Sequence, residues 1–274
     1  NSRTFSRIFA YQTLMEFMRK TIFLFVLIIF SAFLMRSQPA YRKVMNESFK
    51  RGEKLTYRIH YGFIDAAIAT IEITDENKKF ADRNSLHVVG IGRSKGSFDF
   101  FFKIRDRYET YIDEEALIPW FFGRRVDEGG YKMSQDYVFF HNQKKMSANG
   151  KMIDIWQNAQ DMLSGFYLAR TMDLGNAKEG QLFSVPTVVD GAMYNLQIKY
   201  KGRETIKSPW GKIRCLKFVP VLQKGRIFKH EEDMVVWLSD DKNHIPIRAK
   251  ADILFGSLKM DLIEYKGISH PFSF

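Results

Sequence analysis

Cysteine is almost absent from this chain: Cys215 is the only one among 274 residues. An internal disulfide is therefore excluded, and no cysteine follows the N-terminal apolar run where a lipid anchor would need one. Cys215 lies in Gly211-Lys212-Ile213-Arg214-Cys215-Leu216-Lys217-Phe218-Val219, on the strand face that also carries Ile213 and Val219. No base is implied beside it, so it reads as a small buried hydrophobe rather than a catalytic thiol. The motifs that declare a chemistry are missing too. There is no Ser/His/Asp elbow, no phosphate-cradling glycine loop and no two-histidine zinc motif. The formal charge is +11, but the basic residues are scattered among acids rather than massed in a tract. That argues against nucleic acid as a partner.

A long hydrophobic run is also lacking. Ile22 to Leu34 is apolar except for Ser31, but at about 13 residues it falls short of the roughly 20 that a spanning helix needs. Met18-Arg19-Lys20 precedes it and Met35-Arg36-Ser37-Gln38 follows. Basic, apolar and small-polar parts in that order make a signal peptide, with cleavage expected after Ser37. Residues 1–37 are thus expected to be a signal peptide with a mis-extended start, the initiator being Met15 or Met18. A genuine long basic head and a retained single-span anchor are the alternatives. Residues 38–274 are expected to form a single β-rich domain in the periplasm or cell envelope.

That remainder reads as strands. Leu55, Tyr57, Ile59 and Tyr61 alternate with Lys54, Thr56, Arg58 and His60, a period of two with one buried and one wet face. Similar segments recur from Ala66 to Tyr265, separated by turns such as Asp190-Gly191 and Ser208-Pro209-Trp210-Gly211. One helix is expected over Asn158 to Thr171, packing Met162, Phe166 and Ala169 across the sheet. Asp161 sits near its start and Arg170 near its end, each suiting the helix dipole; Arg170 could instead reach a buried carboxylate or a ligand. The fold class is mostly β: an antiparallel β-barrel, or a half-open barrel or sandwich, with one packed α-helix.

Gly52-Glu53-Lys54-Leu55-Thr56-Tyr57, followed by Tyr61-Gly62, resembles the opening of the exported bacterial domain-of-unknown-function family 3108. Asp161 to Arg170 is similar to that family's single helix, and Pro186 through Gly191 with Tyr200 to Glu204 to its central hairpin. Trp237-Leu238-Ser239-Asp240-Asp241 with Ile245-Pro246 resembles its closing strands. The resemblance spans roughly Phe49 to Gly267. It implies an exported β-rich protein and carries no catalytic residues.

The candidate site residues are aromatic. Phe98, Phe100, Phe101 and Phe102, with Trp120, Phe121 and Phe122, are too many rings for one buried strand face. Some must lie in a second interface: helix packing, or the wall of an apolar groove. Ala66 to Ala69, Gly90 and Gly92 would leave room beside them. With Arg170, these rings are the expected ligand-binding set. No catalytic residue, metal or cofactor is expected. His230-Glu231-Glu232-Asp233 holds metal-ligand chemistry, but consecutive strand residues cannot converge on one ion, so it reads as a solvated turn. The leading expectation is a binding protein for a lipid or glycolipid. An envelope scaffold that binds another protein is the alternative. A hydrolase of envelope polymers, using carboxylates such as Asp99, Asp127 and Glu128, ranks last. N-terminal sequencing of the protein isolated from its native envelope should find a chain beginning near Gln38; a first residue before Met18 would refute cleavage.

Overall fold

The polar/apolar alternation builds a single sheet, whose curvature comes from tertiary contacts. The computed structural model describes residues 41–221, 233–253 and 256–273. The expected signal segment, residues 1–37, and His230-Glu231-Glu232 of the acidic run lie outside these residues. The chain divides after Tyr41 into two units, and the fold is that of the second, Arg42–Phe274. Among the described residues no helix is long and apolar enough to cross a membrane.

The first half of the sheet comprises β1 (Lys54–Tyr61), β2 (Ile64–Ile73), the two-residue β3 (Lys79–Phe80), β4 (Arg83–Ser94), β5 (Arg105–Asp113), β6 (Pro119–Glu128), β7 (Tyr131–Phe140), β8 (Lys145–Ala148) and β9 (Lys151–Asp154). The second half comprises β10 (Leu182–Val189), β11 (Ala192–Ser208), β12 (Gly211–Val221), β13 (Met234–Ser239), β14 (Pro246–Asp252) and β15 (Ser257–Lys266). A four-residue helix α1 (Phe98–Phe101) joins β4 to β5, and α2 (Met162–Arg170) joins the halves. All strand pairs are antiparallel, in the order β10-β11-β12-β13-β14-β15-β1-β2-β4-β5-β6-β7-β8-β9, with β3 on β4. The ladder does not close. Thr187 of the end strand β10 makes a parallel bridge to Gln160, just before α2, and Asp190 beyond β10 forms a 2.9 Å ion pair with Arg124 of β6. The fold is therefore an open, barrel-like sheet carrying α2 on its inner face, as the alternation implied.

The helix departs from expectation in extent and in face. It begins at Met162 rather than Asn158, because Gln160 is drawn into the bridge to β10. Asp161 is its N-cap. The Asp161 carboxylate accepts from the backbone N–H groups of Leu163 (2.7 Å) and Ser164 (2.8 Å) and from the Thr110 hydroxyl of β5 (2.6 Å). The Ser164 hydroxyl accepts from the Asp161 N–H, completing a capping box. Burial pushes the Asp161 carboxyl up to about 6, against the pull of its hydrogen bonds to Thr110, Ser164 and Leu163.

This cap sets the rotation of α2. Ser164, Gly165, Tyr167, Leu168 and Arg170 are buried, whereas Met162 is exposed and Phe166 and Ala169 are half-buried. The expected Met162/Phe166/Ala169 packing face is therefore not the buried one. Gly165 explains part of this, since its missing side chain lets β10 approach: a Cβ there would lie 3.5 Å from Val185 Cγ1. Tyr167 and Leu168 instead join Phe49, Ile73, Val88 and Ile112 in one core cluster. A second cluster gathers Leu55, Tyr57, Ile213, Cys215 and Leu262. Cys215 is fully buried and its thiol is pushed up to about 12, chiefly by desolvation.

Arg170 is not mainly a partner of the helix dipole. Its guanidinium donates to both carboxylate oxygens of Glu53, at 2.7 and 2.8 Å, with both side chains buried. It also donates to the carbonyls of Asn243 (3.0 Å) and Ser48 (3.3 Å). Burial works against the Arg170 charge, yet the Glu53 carboxylate more than offsets it and the pKa is raised. Breaking such a pair leaves one ion desolvated and unpaired. Glu53→Gln or Arg170→Met should each destabilise by about 3–5 kcal/mol in denaturant unfolding. The double variant Glu53→Gln/Arg170→Met should lose clearly less than the sum of its two singles, and strict additivity would show that the two side chains do not act as a pair.

Candidate functional site

A cavity of about 440 Å³ opens at one end of the inner face, beneath α1. Four turns meet at that end. Gly62 N–H donates to Ser257 O (3.0 Å), Lys95 N–H to Ala66 O (3.0 Å) and Gly129 N–H to Lys103 O (2.8 Å). Ile104 and Glu128 form an isolated antiparallel bridge beside them. The edges of β15, β1, β2, β4, β5 and β6 therefore end together around one opening.

The floor is small-residue strand. Ala66 and Ala67 of β2 and Gly92 of β4 line the cavity. A Cβ on Gly92 would meet only Asp106 Cβ, at 3.7 Å, so a side chain there would enter open space. Ile59, Tyr61, Ile104 and Leu258 add apolar wall. Phe98 and Phe102 form the lid, their rings 6.4 Å apart and edge-on. Phe102 also lies against the backbone of Gly129, where a Cβ would come within 2.4 Å of the ring. Gly129 has a φ of +55°, so both backbone freedom and closeness require glycine at that turn.

Side-chain bonds to the flanking strands hold α1. Its Asp99 accepts two hydrogen bonds from Arg105, at 2.7 and 2.9 Å, and one from Ser94. Those bonds, Arg105 first, lower the Asp99 carboxyl to about 2. The Ser94 hydroxyl in turn accepts from Ile104 N–H at 2.8 Å. With the helix held in this way, Phe98 and Phe102, four residues apart, face inward, while Phe100 and Phe101 face solvent at 88% and 79% exposure.

Arg93, Asp106 and Glu128 supply the polar part of the wall. Asp106 is buried and accepts from Asp127 N–H at 3.1 Å. Burial first, then the hydrogen bond and charge of Asp106, raise the Glu128 carboxyl above its ordinary range, with Arg124 pulling the other way. The Glu128 carboxyl therefore holds its proton more readily than an ordinary glutamate. Of the carboxylates named from sequence, Asp99 is held by Arg105 and Asp127 lies toward Lys132, 3.6 Å away. Glu128 is the one that reaches a cavity.

The expected aromatic set does not assemble as one wall. Trp120 is the extra residue where the β5–β6 register shifts, and it packs on Phe80 and His141. Phe121 lies near Tyr111 on the outer face, at 6.2 Å. Phe122 is buried between Tyr108 and Tyr137. Arg170 is in the Glu53 pair. Ile59, Tyr61, Arg93 and Asp106 were not legible as site residues, because ordinary strand alternation carries no mark of which strand end borders a void. A second groove, of about 200 Å³, runs along the half-buried face of α2, between Phe166 and Ala169 and the side chains of Leu196, Ile198, Phe218 and Val236. On the outer face His87 stacks on Tyr111 at 4.4 Å and lies between Glu76 (3.0 Å) and Glu109 (3.2 Å). Among the described residues no cluster of three or more His, Cys, Asp or Glu is placed to hold a metal ion.

An open antiparallel sheet with one inner helix and a side-chain-lined cavity defines a barrel-like class of protein. Residues 56–263 match the family model DUF3108, protein of unknown function, and the chain belongs to that family. The fold is similar to the β-barrel-like protein of domain of unknown function DUF1849 from Brucella abortus, with a TM-score of 0.50 and 10% identity, covering 83% of this chain and 99% of that one. Weaker likenesses run to a protein assigned as exported, with a YmcC-like fold, from Bacteroides fragilis (TM-score 0.31, 11% identity, 82% and 99% covered). They extend also to a protein assigned as a lipoprotein from Parabacteroides distasonis (TM-score 0.33, 10% identity, 83% and 100% covered). No curated protein matches the chain.

The raised Glu128 carboxyl predicts a pH dependence of stability. A folded-state pKa above the unfolded one stabilises at low pH, and that contribution is lost as pH rises through the folded value. Glu128→Gln should therefore match the wild type at low pH and exceed it above the ordinary glutamate range, in denaturant midpoints measured across pH. Equal midpoints at every pH would show that Glu128 is an ordinary surface carboxylate.

Proposed function

We propose that this is an exported cell-envelope protein that binds an apolar or amphiphilic ligand, of lipid or glycolipid class, in the cavity beneath α1. The observation that carries this is the combination of an apolar 440 Å³ void with a small polar corner. Its size falls within the range of small-molecule sites, about 300–1,000 Å³. Phe98 and Phe102 supply aromatic wall, Ala66, Ala67 and Gly92 leave the volume, and Asp106 with Glu128 can hydrogen-bond a head or linkage. Burying each methylene contributes about 0.8 kcal/mol, so a short acyl segment suffices for useful affinity. Export is supported by the basic, apolar and small-polar order of Met18 to Gln38.

The protein isolated from its own envelope should carry extra mass in native mass spectrometry, released by detergent. Ala67→Phe, which fills the void, should abolish retention while unfolding stays cooperative. A wild-type protein that carries no ligand and takes up no fluorescent fatty-acid or lysolipid probe would overturn the reading.

A further inference from the structure

A separate cleft of about 270 Å³ lies where the turn after β11 approaches β14, β15 and β1. Four cationic side chains line it, Arg58, Lys207, Arg248 and Lys259, against one carboxylate, Asp261. Arg58 stands between Tyr57 and Ile59 on β1, so alternation turns it away from the inner face and from the cavity beneath α1. Its cross-strand neighbour on β15 is Asp261, the partner that strand pairing offers it. That carboxylate is already taken. Its Oδ1 accepts from Arg248 Nε at 2.6 Å and its Oδ2 from Lys259 Nζ at 2.8 Å. Burial alone would raise the Asp261 carboxyl, but its hydrogen bonds to Lys259 and Arg248 more than offset that, and the pKa is lowered. On the other side Arg58 faces Ile68 of β2. The Arg58 Nε is buried and bonds no described residue, so this charge is partly withdrawn from water without a counter-ion.

The other cations are not matched either. Arg248 Nη2 reaches only the Lys207 carbonyl, at 3.4 Å, and its Nη1 bonds no described residue. Lys207 is exposed and pairs with no described carboxylate. Glu204 is held by Trp237 Nε1 and by Lys217, each at 3.1 Å. Glu264, the next carboxylate along β15, stands opposite Thr56 and does not line the cleft. The cleft therefore keeps an excess of positive charge and unused guanidinium donors. A carboxylate brings one charge, whereas a phosphate monoester brings nearly two and three acceptor oxygens, which suits several cations converging from separate strands. The volume is below the range of about 300–1,000 Å³ for whole small-molecule sites, so the cleft takes one group of a ligand.

We propose that this cleft binds a phosphate group, carried by a small soluble molecule or by a lipid headgroup. Arg58 and Arg248 supply guanidinium donors, and Lys207 and Lys259 supply further charge. The sheet separates this site from the cavity beneath α1, and the proposal stands without the lipid reading of that cavity.

The test titrates the full chain with inorganic phosphate and with glycerol phosphate by calorimetry, at an ionic strength fixed with chloride. Both should bind saturably, and acetate should not compete. Arg58→Gln should weaken binding by at least about tenfold, the loss of one charge-assisted contact, and Lys207→Gln should weaken it too. Arg58 makes no ion pair and Lys207 is exposed, so both variants keep the wild-type thermal transition. Lys132→Gln, on β7, removes the same charge outside the cleft and should change nothing. Flotation with phosphatidylcholine vesicles, with and without phosphatidic acid, separates the two sources. Capture that needs phosphatidic acid and is lost in Arg58→Gln assigns a headgroup. Binding of the soluble phosphates without capture assigns a soluble ligand. A flat titration with no capture, Arg58→Gln and Lys207→Gln variants that bind as the wild type does, or an equal loss in Lys132→Gln would overturn the proposal. Ala67→Phe, which fills the cavity beneath α1, should leave phosphate binding unchanged, so failure of one site is read apart from failure of the other.

Discussion

The buried pair of Arg170 with Glu53 is the constraint on which the arrangement depends. Glu53 immediately precedes β1, and Arg170 ends α2, so the pair ties the middle of the sheet to its one inner helix. The guanidinium also lies within 5.1–5.7 Å of the ring centroids of Phe49, Phe166 and Tyr167, and the Arg170 carbonyl accepts from Ser48 (2.8 Å) and His244 (2.7 Å). A charge removed this far from water is stable only when its geometry is complete. With the Asp161 cap at the other end, the pair therefore fixes the rotation and depth of α2 along with the segments that lead into β1 and β14.

Fixing α2 at one end divides the inner face. Toward Glu53 and Arg170 the sheet is filled by Tyr167, Leu168 and their neighbours. Toward α1 the strands carry Ala66, Ala67 and Gly92, and nothing from α2 reaches down to fill the space they leave. The cavity thus follows from a helix held at the far end and from small residues at the near end. Asp99 and Arg105 complete it by holding a helix too short to persist alone. The same bonds decide which phenylalanines face in and which face out.

What was legible in the chain was what local chemistry sets. Period-two alternation located most strands, and Asp190-Gly191 and Ser208 to Gly211 located turns, because side-chain direction and turn dihedrals depend on a few neighbouring residues. Ala66, Ala67 and Gly92 were legible as room-making residues, because a missing side chain leaves volume wherever it sits. The aromatic cluster was misleading. Trp120, Phe121 and Phe122 adjoin in sequence, yet a register shift of one residue against β5 sends them to three different neighbourhoods. Phe98 to Phe102 carried no sign of a helix, because its stabilising groups, Ser94 and Arg105, belong to the flanking strands.

The sequence by itself determined that this is an antiparallel β protein of the DUF3108 family with, among the described residues, one substantial helix and a buried thiol. Alternation, turn residues and the absence of a base near Cys215 are properties of short segments. Only the tertiary structure decided that the sheet stays open, that α2 buries Ser164 and Tyr167 rather than Met162 and Phe166, and that Arg170 answers Glu53. Those outcomes rest on contacts across more than a hundred residues, such as Glu53 with Arg170, and on one residue of register. Neither leaves a mark in any window of the chain short enough to read locally.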